Sequence, residues 1–187
     1  NNKLEFFSKS GVTEYGNMFK EMFYKELKKN GNIKNIVKIQ DILASNDYSV
    51  TFEVINVEKD KHIVTYDKSK LVILDVIENN YKLNFNNKIR EELSLLTGFE
   101  IPKNHIINNE KEFDDFLNSV KDEENTEGYV FKDNNNYMFK LKNNDYKFIK
   151  SLRGLLYIIQ KQEIVDFNLL PNWLFFFIHI IVFFNFI

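Results

Sequence analysis

The helical and strand-like stretches of this chain come in blocks instead of alternating, and that order restricts the fold more than any single motif does. "KLEFFSKSG" (3–11) reads as a strand ending at Gly11. Residues 13–31 then carry Tyr15, Met18, Phe19, Met22, Phe23 and Leu27 at the i, i+3, i+4, i+7 spacing of an amphipathic helix. Thr13 suits its start, and Lys28, Lys29 and Gly31 suit its end. A second helix over 33–43 stops at the "SND" turn. A block of strands follows: "YSVTFEVIN" (48–56), a hairpin loop "VEKDKH", a return strand "HIVTY" (62–66), and "KLVILDVIE" (70–78), apolar enough for a central position. Helices are expected near 86–97 and 110–121, the second with Asn109 and Glu112 spaced for a capping box. A hairpin over 127–143 and a helix near 144–160 complete the pattern. Blocks of this kind predict an α+β fold with mainly antiparallel sheets and flanking helices. No internal repeat is visible.

With 187 residues the chain can build one domain with a sizeable core. Its net charge of −2 excludes a broad electrostatic grip on nucleic acid, so any such contact must be local. The absence of cysteine excludes disulfides, thiol nucleophiles and cysteine-based zinc sites. His62, His105 and His179 lack metal-ligand spacing, which leaves a hard cation held by carboxylates or phosphates. The sequence starts at Asn1 without a signal-like segment, and its Asn, Lys, Ile and Phe content suits an AT-rich coding sequence. Both features suggest a piece of a longer protein. The expected location is the cytoplasm, as a soluble protein (a host cytoplasm if the source is viral). The natural division is a domain over 1–160 and an atypical hydrophobic tail over 161–187. Within the tail, "WLFFFIHIIVFFNFI" (173–187) is shorter than the ~20 residues of a spanning helix. Read-through in an altered frame is the preferred explanation, ahead of a membrane anchor or a core helix.

The hairpin carries the strongest chemical signal. Along its second strand Met138, Lys140 and Lys142 share one face, and Tyr137, Phe139 and Leu141 share the other. The apolar face belongs on the core. If Asn134-Asn135 form a two-residue turn, Glu127 falls opposite Lys142, on the lysine face. An acid and two lysines would then converge, a set suited to a polyphosphate and its magnesium ion. An exposed amphipathic hairpin with a cross-strand ion pair accounts for the same pattern. Glu53, in the otherwise apolar "VTFEVI", either sits on a half-exposed face or lines a site, because an unpaired buried carboxylate is costly. Lys9 is a lone basic residue at a strand end.

The order of these elements resembles that of the phage-type RNA ligase 1 family of covalent nucleotidyltransferases. Members carry a KxDG-type lysine motif, a "SKG"-like element, a "NFEFV"-like strand, "EGYV" and "FKIKxxxY"; this chain has "FSKSG", "VTFEVI", "EGYV" and "FKLKNNDY" over roughly 4–155. The resemblance implies a nucleotidyltransferase fold of the ATP-grasp-like ligase adenylation type, here incomplete. It implies ATP and Mg2+ as cofactors, and RNA ends as substrates, nicked tRNA among them, with no stable protein partner. Lys140 and Lys142 match the lysines that contact the α-phosphate, Glu127 the metal-organising acid and Glu53 the acid near the ribose. Lys9 matches a basic residue near the phosphates, and Tyr146 the tyrosine closing the last motif. Adenine needs a flat slot, and Tyr66 is assigned to one wall.

No KxDG-type stretch occurs in the chain; "FKDN" (131–134) and "SKSG" (8–11) do not fit. The family's attacking lysine precedes the element at Lys9, so a domain cut before its nucleophile, inert as an isolated ligase, is expected. A DNA ligase, an mRNA-capping-type nucleotidyltransferase and a catalytically silent nucleotide- or RNA-binding domain are the alternatives.

Overall fold

A computed structural model describes residues 3–60, 62–80, 84–121 and 123–162. The expected apolar stretch 173–187 lies outside the described residues. The order of elements is α1 (Glu14–Lys29), a 3-10 turn (Ile33–Asn35), α2 (Ile36–Ser45), β1 (Tyr48–Ile55), β2 (Lys70–Glu78), α3 (Asn87–Thr97), α4 (Glu110–Val120), β3 (Gly128–Lys132), β4 (Met138–Lys142) and α5 (Asn144–Gln162). The fold is α+β with two antiparallel two-stranded sheets, β1–β2 and β3–β4, and the helices flank them. Among the described residues no helix is long and apolar enough to cross a membrane.

The core lies between α1, α2, α3 and the inner face of β1–β2. Phe19, Met22, Phe23 and Leu27 of α1 meet Ile39, Val54, Leu71, Ile73, Val76, Leu93 and Phe99 there. Tyr15, part of the predicted apolar stripe, instead stays 43% exposed because it lies at the outer end of α1. Phe6 packs edge-on to Phe19 and Phe23 at 5.1 and 5.3 Å between ring centroids. Gly16 permits this close crossing, since a Cβ there would lie 3.0 Å from the Phe6 carbonyl oxygen.

Four expectations are corrected by these contacts. Residues 3–11 do not form a strand: only Ser8 and Gly11 make an isolated bridge, and the segment is held by Phe6 packing instead of a ladder. "HIVTY" is a loop, and β2 itself is the return strand that pairs with β1, from Tyr48↔Glu78 to Ile55↔Lys70. The apolar content of β2 reflects short bridges on its other edge, Val72↔Glu100 and Ile77↔Phe85, and not a full central position. Thr13 occupies the N-cap position of α1, but its side chain makes no cap bond; its hydroxyl is paired with that of Ser8 at 3.0 Å. Asn109 does cap α4, accepting from Glu112 N–H at 2.9 Å, while the Glu112 carboxylate accepts from the Asn108 N–H at 2.8 Å, one residue beyond the usual box.

Candidate functional site

The β3–β4 hairpin turns differently from the expected two-residue turn. Asp133 N–H donates to the Tyr137 carbonyl at 3.0 Å, and the Asp133 carboxylate accepts from the Asn135 and Tyr137 N–H groups. Asn136 takes a left-handed conformation at φ 66°, which asparagine tolerates. The turn is therefore one residue longer, and Gly128, not Glu127, stands opposite Lys142. Val130 pairs with Lys140 and Lys132 with Met138, so Lys132 joins the lysine face.

Strict alternation would now send Glu127 to the far side. It does not, because Gly128 sits at φ 136°, outside the range of an L-residue strand, and breaks the parity between residues 127 and 128. Its missing Cβ also matters: one there would lie 2.1 Å from the Leu141 carbonyl oxygen. Asn143 N–H donates to the Glu127 carbonyl at 3.0 Å, and the Lys142 ammonium donates directly to the Glu127 carboxylate. Lys142 also lies over the Tyr146 ring, 4.6 Å from its centroid, as a cation–π contact. The Glu127 hydrogen bond is the main reason that Lys142 holds its proton more tightly than an ordinary lysine.

The lysine face looks onto the outer face of β1–β2. Lys132 Nζ stands 3.8 Å from Asp75 Oδ1 and 3.1 Å from the Phe85 ring centroid. Glu53, on the same outer face, is pushed above its ordinary pKa first by partial burial and then by the Glu127 charge; His62 and Lys140 pull it back. Burial, Glu53, Glu127 and Tyr146 likewise raise Tyr66. Glu53, Tyr66, Glu127, Lys140, Lys142 and Tyr146 are thus linked by charge, hydrogen bond or ring contact, and together they define the candidate cleft. Lys9 lies exposed in the Ser8–Gly11 turn and makes no hydrogen bond or ion pair among the described residues. The apolar hairpin face does not reach the core. Phe131 stacks on Phe139 at 4.7 Å, and Phe113 and Phe116 of α4 cover Phe131, because α4 is the apolar surface nearest in the chain.

A family model described as RNA ligase, of the phage T4 ligase 1 type, matches residues 1–147. The chain belongs to this RNA ligase family. Among curated proteins no match was found. RNA ligation is the family's general function, and it uses RNA, a nucleotide and a metal ion. The matched range contains all seven residues singled out in the sequence.

Several residues in this ligase-family cleft escaped sequence reading. His62 packs edge-on to Tyr66 at 5.2 Å, and its Nε2 is buried with no hydrogen-bond partner among the described residues. The i, i+4 spacing of His62 and Tyr66 in an apolar run was the available signal. Asn125 clamps the loop that carries both: its amide oxygen accepts from Thr65 N–H at 2.6 Å and its amide nitrogen donates to the Thr65 carbonyl at 3.2 Å. Arg90, buried and hydrogen-bonded to the Leu74 carbonyl at 3.1 Å, stands 3.9 Å from Asp75. Nothing local in the sequence pointed to Asn125 or Arg90.

The cleft can be tested against the groups that the family uses. Among the described residues no cluster of three or more His, Cys, Asp or Glu side chains could cage a metal. Glu53 is raised first by burial and then by the charge of Glu127, so the two carboxylates are near enough to act on one another. Magnesium usually takes one or two carboxylates and completes its shell with water and phosphate oxygens, so the donor set fits. Lys140, Lys142 and the two tyrosine rings supply the cations and flat surfaces that a nucleotide needs.

Proposed function

We propose that residues 1–160 form the adenylyltransferase unit of an ATP-dependent RNA ligase that joins RNA 5′-phosphate and 3′-hydroxyl ends. In this reaction a lysine Nζ attacks the α-phosphorus of ATP, forming a phosphoramidate and releasing pyrophosphate. The adenylate passes to the RNA 5′-phosphate, and a 3′-hydroxyl then displaces AMP to form the phosphodiester. The observation that supports the reading is that the charges of Glu127 and Lys140, from the 127–142 hairpin, both act on Glu53 of β1, far away in the chain, while Lys142 bonds Glu127.

Lys140 and Lys142 would grip the α-phosphate, where fixed cations count most as charge builds in the transition state. Glu127 would hold a magnesium ion, which offsets phosphate charge when bound. Glu53 would accept from a ribose hydroxyl, and Tyr66 would form one wall for adenine. Tyr146 holds Lys142 in place, and Lys9 is assigned to the outer phosphates. No KxDG-type stretch is present, so the attacking lysine is not among these 187 residues and the chain alone should be inert. The family match favours RNA over the DNA-ligase and capping alternatives.

Calorimetric titration with ATP and magnesium tests this reading. Binding by the parent chain, weakened about tenfold or more in Lys140→Ala, Lys142→Ala and Glu53→Ala, is expected from loss of charged hydrogen bonds. Absence of binding, or three variants indistinguishable from the parent, would overturn it. Incubation with α-labelled ATP should give no label that survives denaturation. A stable label mapped to a lysine of the chain would refute the missing nucleophile.

A further inference from the structure

A second concavity opens on the other side of the hairpin, where α4, β3, β4 and the start of α5 meet. Its volume is about 230 Å3. Leu117, Tyr129 and Leu141 contribute apolar surface, and Lys121, Lys142 and Lys147 contribute the charge. No carboxylate lines it among the described residues. Lys121 and Lys147 are exposed and make no ion pair among the described residues.

The pocket is held in shape by its neighbours. Buried Asn143 donates to the Val120 and Glu123 carbonyls at 3.3 and 2.6 Å, tying the end of α4 to the end of β4. The Tyr129 ring is fixed edge-on to Phe116 at 5.0 Å, and its hydroxyl donates to Glu123. Apolar side chains together with three lysines and no carboxylate fit one chemistry best, a nucleotide whose base packs on the apolar side chains and whose phosphates meet the lysines. Single-stranded RNA is read in this way, with splayed bases on aromatic rings. The volume is below the ~300 Å3 at which drug-sized pockets begin, which suits one base and not a folded partner.

We propose that this pocket binds a nucleotide of the single-stranded RNA substrate, next to the end being joined. The inference rests on the ligase reading above. Continuity supports it: Lys142 lines the pocket and also bonds Glu127 in the cleft, so a strand leaving the pocket needs to pass only that residue.

The test uses the full chain and a short, fluorescein-labelled, 5′-phosphorylated oligoribonucleotide, followed by anisotropy across a salt series. Lys121→Ala/Lys147→Ala should weaken binding and flatten the log K against log salt slope by about 1.4, two contacts at ~0.7 each. Leu117→Trp, which fills the floor, should weaken binding about tenfold at unchanged slope. Asn118→Trp covers the mouth from the exposed side of α4 and should do the same, which guards against misfolding of the first variant. ATP binding should survive in all three. RNA binding unaffected by both tryptophan variants would overturn the pocket and leave only diffuse lysine attraction. No RNA binding by the parent would overturn it as well, as would a parent dimer dissociated by Leu117→Trp, which would make a second copy the occupant. Loss of ATP binding by the parent with RNA binding intact and variant-sensitive would instead remove the ligase cleft and leave the pocket standing.

Discussion

Two carboxylates share the cleft, and the one on β1 bears the consequence. Partial burial and then the Glu127 charge raise the pKa of Glu53, opposed by His62 and Lys140. The folded chain therefore keeps a proton on Glu53 to higher pH than the unfolded chain does. The contribution of Glu53 to stability is full below its unfolded pKa and is lost as pH rises through the raised folded value. We expect Glu127→Gln to move the Glu53 titration downward, measured by carboxyl-carbon NMR; an unmoved midpoint would mean that the two groups do not interact. Tyr129 offers a second readout. Burial and the hydrogen bond to Glu123 push it up to about 12. Spectrophotometric titration of Glu123→Gln should bring it down towards 10, since the partner's charge is gone. In the parent, stability held below the unfolded tyrosine pKa should fade as pH climbs through the folded value.

Among the elements, the hairpin depends most on a single position. Gly128→Ala must place a Cβ against the Leu141 carbonyl oxygen at a φ of 136°. We expect a loss of about 2 kcal/mol or more in urea unfolding, together with faster exchange of the β4 amides. Retained stability with protected β4 amides would show that the backbone can relax there. Helices were legible in the sequence because their signals are local: the stripe on α1, the Asn109 cap and the end at Gly31 all lie within a few residues of what they specify. Strand pairing was less legible, because "HIVTY" and "KLVILDVIE" both carry β-branched residues and only the sheet decides which one pairs with β1. The candidate cleft residues were chosen through motif order, and the register assumed for the hairpin was off by one. Glu127 reached Lys142 all the same, since Gly128 reverses the side that a longer turn had switched. Asn125 and Arg90 act through backbone carbonyls and amides of distant residues, a role that no spacing encodes.

At the scale of the whole molecule, polar contacts link the two hairpins. Lys132 with Asp75, Lys140 near Glu53, and Asn125 on the Thr65 backbone span the gap. Such contacts orient without locking, which suits the nucleotide exchange proposed for this cleft. Asn125→Ala should release the 62–66 loop while leaving both sheets intact. Hydrogen exchange at Thr65 should accelerate and ATP affinity fall severalfold, with an unchanged thermal midpoint. A large fall in the midpoint would instead mark Asn125 as part of the structural core.

The separate aromatic cluster of α4 and the hairpin also has a kinetic meaning. Phe113, Phe116, Tyr129, Phe131 and Phe139 come from one short continuous stretch, whereas Asn30 must find the Thr97 carbonyl across 67 residues to help join α1 to α3. Short loops close at lower entropic cost than long ones, so the stretch from Asn109 to Asn143 should acquire order early in refolding. Pulse-labelled amides of Tyr129 and Leu141 should then be protected before that of Ile73. Lys140 and Lys142, which are proposed to bind phosphate, would be arrayed on their strand while β1 and β2 opposite were still being assembled.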